Sequence, residues 1–122
     1  MPDPSAMVES ASEASAFLKA LANPKRLLIL CHLGQGEMSV SDLEAALRLR
    51  QPTLSQQLAR LREDDLVATR RNGKMVYYRV SSDEVRRMIE LLYELFCAEG
   101  ARARHRSVQT GDQAGQAKMT PR

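Results

Sequence analysis

Apolar positions recur with helical spacing along most of the chain and change to a strand-like rhythm once. Ala14, Phe17, Leu18 and Leu21 fall at i, i+3, i+4 and i+7, one apolar face of a helix beginning near Ser12. Residues 1–12, rich in Ser, Ala, Pro and acid, have little to bury and are expected to be frayed. Asn23-Pro24 ends this helix and starts another. The residue before a proline is pushed out of helical geometry, Pro24 suits a first turn, and Asn23 can cap a helix from Pro24 to Leu33 that Gly34 and Gly36 stop. Ser39, with Asp42 in the place of a capping-box acid, opens a short third helix with Val40, Leu43 and Leu47 as its buried stripe. After a tight Arg48-Leu49-Arg50 link, Pro52 marks the first turn of a fourth helix. Its Leu54, Leu58 and Leu61 face inward, leaving Thr53, Ser55, Gln56, Gln57 and Arg60 outward.

The period then changes. Leu66 to Arg71 and Lys74 to Val80 are rich in β-branched and aromatic residues around Asn72-Gly73, a strong signal for a hairpin with a type I′ turn. Pairing 71 with 74 sets Val67 against Tyr78 and Thr69 against Val76 on the core face, with Arg70, Arg71 and Lys74 at the tip. Ser81 and Glu84 form a capping box for a last helix through Val85, Met88, Ile89, Leu91, Leu92, Leu95 and Phe96 to about Ala98. That apolar surface is wider than one domain of this size needs, which points to a second copy of the chain as partner. Beyond Gly100 no periodicity remains. The organisation expected is a frayed segment over 1–12, one domain over 13–99 and a disordered basic tail over 100–122.

Composition sharpens this outline in three ways. The 122 residues suffice for one compact domain, and five aromatics with no Trp among many Leu and Ala favour helices. No apolar run approaches the roughly 18 residues a membrane span needs and the start lacks a signal-peptide pattern, so a cytoplasmic protein without membrane contact is expected. In that compartment Cys31 and Cys97 read as a regulated pair of thiols, not a structural bridge. The charge of +3 is unevenly spread. Residues 48–79 hold eight basic and three acidic groups, a local +5, whereas residues 80–99 hold two basic and five acidic.

The element order is therefore four helices, a hairpin and a helix (ααααββα), mainly α, with a short polar helix and tight turn ahead of an exposed Thr/Ser/Gln/Arg face. This is the plan of a helix-turn-helix followed by a wing. Gln51, Thr53, Ser55, Gln56, Gln57 and Arg60 are candidates to reach phosphates and base edges of double-stranded DNA. Glutamine is able to pair bidentately with adenine. Arg70, Arg71, Asn72 and Lys74 are candidates for sequence-independent contacts from the wing. A thiol-disulfide enzyme is disfavoured, because the chain has no Cys-x-x-Cys pair and no βαβ pattern. A constitutive DNA-organising protein would leave both cysteines dispensable.

Leu21-Ala22-Asn23-Pro24-Lys25-Arg26-Leu27, Gln51-Pro52-Thr53-Leu54-Ser55-Gln56-Gln57-Leu58 and the hairpin end Val76-Tyr77-Tyr78-Arg79-Val80 together resemble the ArsR/SmtB-type winged-helix repressors, over about residues 13 to 98. The resemblance implies a homodimer through the first and last helices, set on an inverted-repeat operator with half-sites about 34 Å apart. Ser39, Val40 and Ser41 stand where many metal sensors of the family carry Cys-Val-Cys, and residues 82–98 hold no His, so no metal site and no cofactor are expected. Cys31 and Cys97 resemble the persulfide-sensing branch, the repressors similar to BigR and SqrR. That implies a polysulfide or disulfide link that releases DNA. A metal- or haem-responsive repressor, a general thiol-oxidation sensor and an inert core role for Cys31 stay open as alternatives.

Overall fold

The computed structural model describes residues 1–98. Its elements are α1 (Pro4–Leu21), α2 (Pro24–Leu33), β1 (Met38–Ser39), α3 (Val40–Leu47), α4 (Gln51–Glu63), β2 (Val67–Asn72), β3 (Met75–Val80) and α5 (Asp83–Phe96). The mainly helical plan with a hairpin holds, with one addition: β1 pairs antiparallel with β3 and makes a three-stranded sheet in the order β1-β3-β2. A two-residue strand has no periodicity of its own to read. One compact unit runs from Met1 to Arg86, and most of α5 belongs to a second that begins at Arg87.

Local signals set the starts of α2 and α3 as expected. The Asn23 side chain accepts from the backbone N–H groups of Lys25 and Arg26 at 2.9 and 3.2 Å. Ser39 accepts from Asp42 N–H at 3.1 Å while the Asp42 carboxylate takes the Ser39 N–H at 3.3 Å, a complete capping box. The core of the first unit joins Leu21, Ile29, Leu30, Leu33 and Leu43 to Leu54, Leu58 and Leu61 of α4, then to Leu66, Val67, Val80 and Val85.

Two helix starts and the hairpin register differ from the sequence expectation. The first helix starts at Pro4, because Asp3 caps it through Ser5 N–H at 3.1 Å and Pro4 fits its first turn. Residues 1–13 are all exposed, Met7 and Val8 included, so this extension has no buried face to mark it as a helix. The hydroxyl that caps α5 is that of Ser82, which accepts from Val85 N–H at 3.2 Å. Ser81 is instead held to the sheet edge, its N–H on Leu66 O and its hydroxyl on Asp65 O, both at 3.1 Å. The hairpin register also differs. Asn72 pairs with Met75, Arg71 with Val76, Thr69 with Tyr78 and Val67 with Val80. Only Gly73 of the turn takes positive φ, at 65°, as the first central position of a type II′ turn requires, whereas a type I′ turn needs two such residues. Each residue's partner moves by two positions, so the faces are preserved and Val67 and Val80 are buried together. The expected tail over residues 100–122 lies outside the described residues.

Candidate nucleic-acid interface and thiol pair

The aim of α4 is fixed from beneath. Leu54, Leu58 and Leu61 are at most 1% exposed, and a Schellman motif closes the helix: Asp65 adopts φ 61°, its N–H reaches Arg62 O at 3.0 Å and Leu66 N–H reaches Leu61 O at 2.9 Å. Gln51, Ser55, Gln56 and Arg60 are exposed and Thr53 is half-buried. Arg50 precedes the helix with no side-chain cap, whereas side chains cap α1, α2 and α3. Its first-turn N–H groups are therefore available to an anion, together with Arg48, Arg50 and the positive helix end. Arg48 ends α3 in the left-handed region at φ 57°, with its N–H on Glu44 O at 2.8 Å. A β-carbon there costs on the order of 1 kcal/mol that glycine would not. These two arginines were missed because they read as linker; charge directly before a Pro-initiated polar helix was the available signal.

Two expected contact residues are held by neighbouring side chains. Gln57 is half-buried, and its Oε1 accepts from Arg26 Nε at 2.8 Å across the gap from α4 to α2. It lies one position before Leu58 and three after Leu54, so at 100° per residue it flanks the buried stripe instead of opposing it. Arg70 is not a free wing cation. Its Nε donates to both carboxylate oxygens of Glu37 at 2.8 and 2.9 Å, and its guanidinium lies 4.8 Å from the Tyr77 ring centre. The hydrogen bond from Arg70 holds the Glu37 carboxyl below its ordinary range, and the same bond raises Arg70. Arg71, Asn72 and Lys74 remain exposed at the tip.

Both cysteines are free thiols. Cys31 is half-buried on α2, one turn beyond Leu27, and Cys97 is exposed just past the end of α5. His32, beside Cys31 in sequence, is occupied by Leu28 O, 3.0 Å from its Nδ1. Among the described residues no three His, Cys, Asp or Glu side chains converge on a common point. No helix among them is long and apolar enough to cross a membrane.

Residues 23–69, from the α2 cap through α4 into the wing, match the family model described as bacterial regulatory protein, arsR family. A biofilm growth-associated repressor of Agrobacterium fabrum is 54% identical over 93 residues, spanning 76% of this chain and 80% of that protein. The transcriptional activator HlyU of Vibrio cholerae is 50% identical across 75% of this chain and 84% of its own length. In fold, the crystal structure of the repressor BigR from Xylella fastidiosa matches with a TM-score of 0.76 at 42% identity, over 80% of this chain and all of that one.

Proposed function

The chain belongs to the arsR family of bacterial regulatory proteins, and from that premise we propose that it is a cytoplasmic repressor that releases operator DNA when persulfide sulfur links Cys31 and Cys97. The observation that carries the DNA reading is α4, anchored by three buried leucines beneath an exposed face of Gln51, Ser55 and Gln56 and preceded by Arg48 and Arg50. Polar side chains at the start of such a helix reach base edges in the major groove. Arg71 and Lys74 add phosphate contacts from the wing.

Two copies act together in this reading. Leu18 on α1 and Leu91, Leu95 and Phe96 on α5 are 41 to 54% exposed, an amount of apolar surface that a second subunit covers. A two-fold dimer then meets an inverted repeat. The sign of regulation follows the Agrobacterium and Xylella relatives, which are named repressors; the Vibrio protein is named an activator.

The thiol switch is supported by two free cysteines, one of them exposed, and by the likeness to BigR. One thiolate takes the sulfane sulfur of a persulfide and expels the donor's thiolate. The second thiolate does the same, and one cysteine persulfide then attacks the inner sulfur of the other, closing a trisulfide and expelling sulfide, so the sulfane sulfur is the oxidant. The test pairs operator affinity with intact mass after treatment with a persulfide donor or with peroxide. A trisulfide mass, one sulfur gained and two hydrogens lost, together with loss of DNA binding is expected; Cys31→Ser can still take one persulfide sulfur at the exposed Cys97 but should close no link and keep its DNA. A Cys31→Ser protein that still leaves DNA on treatment rules the switch out.

A further inference from the structure

We propose that Arg26, which lies on α2 away from the reading face of α4, is a positioning residue for base preference: it holds the Gln57 amide oxygen so that Gln57 offers DNA only N–H donors. This rests on the DNA-reading role of α4 proposed above.

The chemistry fixes the amide's orientation. A guanidinium has five donors and no acceptor, so the group 2.8 Å from Arg26 Nε must be the Gln57 oxygen and not its nitrogen. Arg26 is itself held in place. Its Nη1 donates to Ala20 O near the end of α1 at 3.1 Å, and its backbone N–H is tied to the Asn23 cap at 3.2 Å. The clasp therefore joins α1, α2 and α4, and both of its side chains are half-buried.

Bidentate pairing with adenine needs the amide oxygen and nitrogen edge-on to the base together, the oxygen taking N6–H and the nitrogen giving to N7. With its oxygen turned to Arg26, Gln57 cannot align both. What it retains is the –NH₂ group, which suits acceptor edges such as guanine O6 and N7 or thymine O4. Gln56, one position earlier and exposed, keeps both halves of its amide for DNA. Two adjacent glutamines thus differ in what they can read, and a residue of another helix makes the difference.

The test selects bound sequences from a randomised duplex pool with the full-length protein, then measures affinity for every single-base variant of the selected site. Wild type is expected to favour an acceptor edge at one base pair per half-site, and Gln57→Ala to lose that preference alone. Arg26→Ala frees the amide and should raise adenine at the same pair by about 5-fold or more relative to wild type, the scale of one good base contact. In a Gln57→Ala background, Arg26→Ala should leave the profile unmoved, an outcome a purely structural role would not give. Because Arg26→Ala also loses the Ala20 bond, Gln57→Glu is the second probe. It keeps an acceptor for Arg26 but has no donor, so it should remain folded and lose the acceptor-edge preference. The inference is overturned if Arg26→Ala weakens all sites equally, if it moves a base pair that Gln57→Ala does not, or if Gln57→Glu keeps the wild-type profile. A wild-type protein that selects no motif would instead remove the reading on which the inference rests.

Discussion

The recognition helix and the wing are both exposed and polar, yet they are aimed by different forces. Three leucines no more than 1% exposed hold α4, while the outer half of the hairpin hangs on its backbone ladder and on the exposed Glu37–Arg70 pair with Tyr77 beneath. Apolar burial involves no charge to screen or titrate, whereas a surface ion pair is screened by salt and titrated by pH. The hold on the reading element therefore contains no ion pair for salt to screen and no group to titrate. The clamping element is adjustable.

The contrast can be broken most forcefully from the helix side. Leu58→Ala should cost about 2 to 5 kcal/mol of unfolding free energy in a urea titration, because the surrounding side chains can only partly close the cavity. A loss well under about 1 kcal/mol would mean that α4 is not held as argued. Ser39→Ala should cost about 0.5 to 2 kcal/mol by removing the α3 cap. At the wing, Arg71→Ala and Lys74→Ala should leave thermal unfolding unchanged while each lowers the salt slope of DNA binding by about 1, equally on specific and random duplexes. A sequence-dependent loss would turn the wing into a reader.

The smallest effect is expected at Glu37. Its depressed folded pKa means that its contribution is present above the unfolded carboxylate value and fades as the pH falls through the lower, folded one. Arg70 should thus be released on acidification below the ordinary glutamate value of 4.5. A carboxyl NMR titration checks this, with Arg70→Ala raising the Glu37 carboxyl toward its ordinary range. Glu37→Gln should free Arg70 at neutral pH and steepen the salt dependence of DNA binding.

The helix-turn-helix was legible because its signals are local. Asn23-Pro24, the Ser39/Asp42 box and the Leu54, Leu58, Leu61 stripe each specify their element within a few residues. What escaped depends on partners distant in sequence. The Arg26–Gln57 bond spans 31 positions and Glu37–Arg70 spans 33, and neither leaves a periodic trace. The helical start at Pro4 escaped for another reason, since a solvated segment rich in Ala, Ser and Glu forms a helix without burying a face. The hairpin was found but misregistered, because Asn-Gly suggested a turn that Gly73 alone did not adopt.

Ser39 serves two structures at once, paired with Tyr77 in the sheet and capping α3 through its hydroxyl. No linker separates the β1 edge of the sheet from the helix-turn-helix, so the two cannot open one after the other. In hydrogen-exchange terms the amides of β1, β3 and the first turn of α3 should belong to one cooperative unit, exchanging at a common rate. A partner or effector that loosens either would be felt by both in a single step.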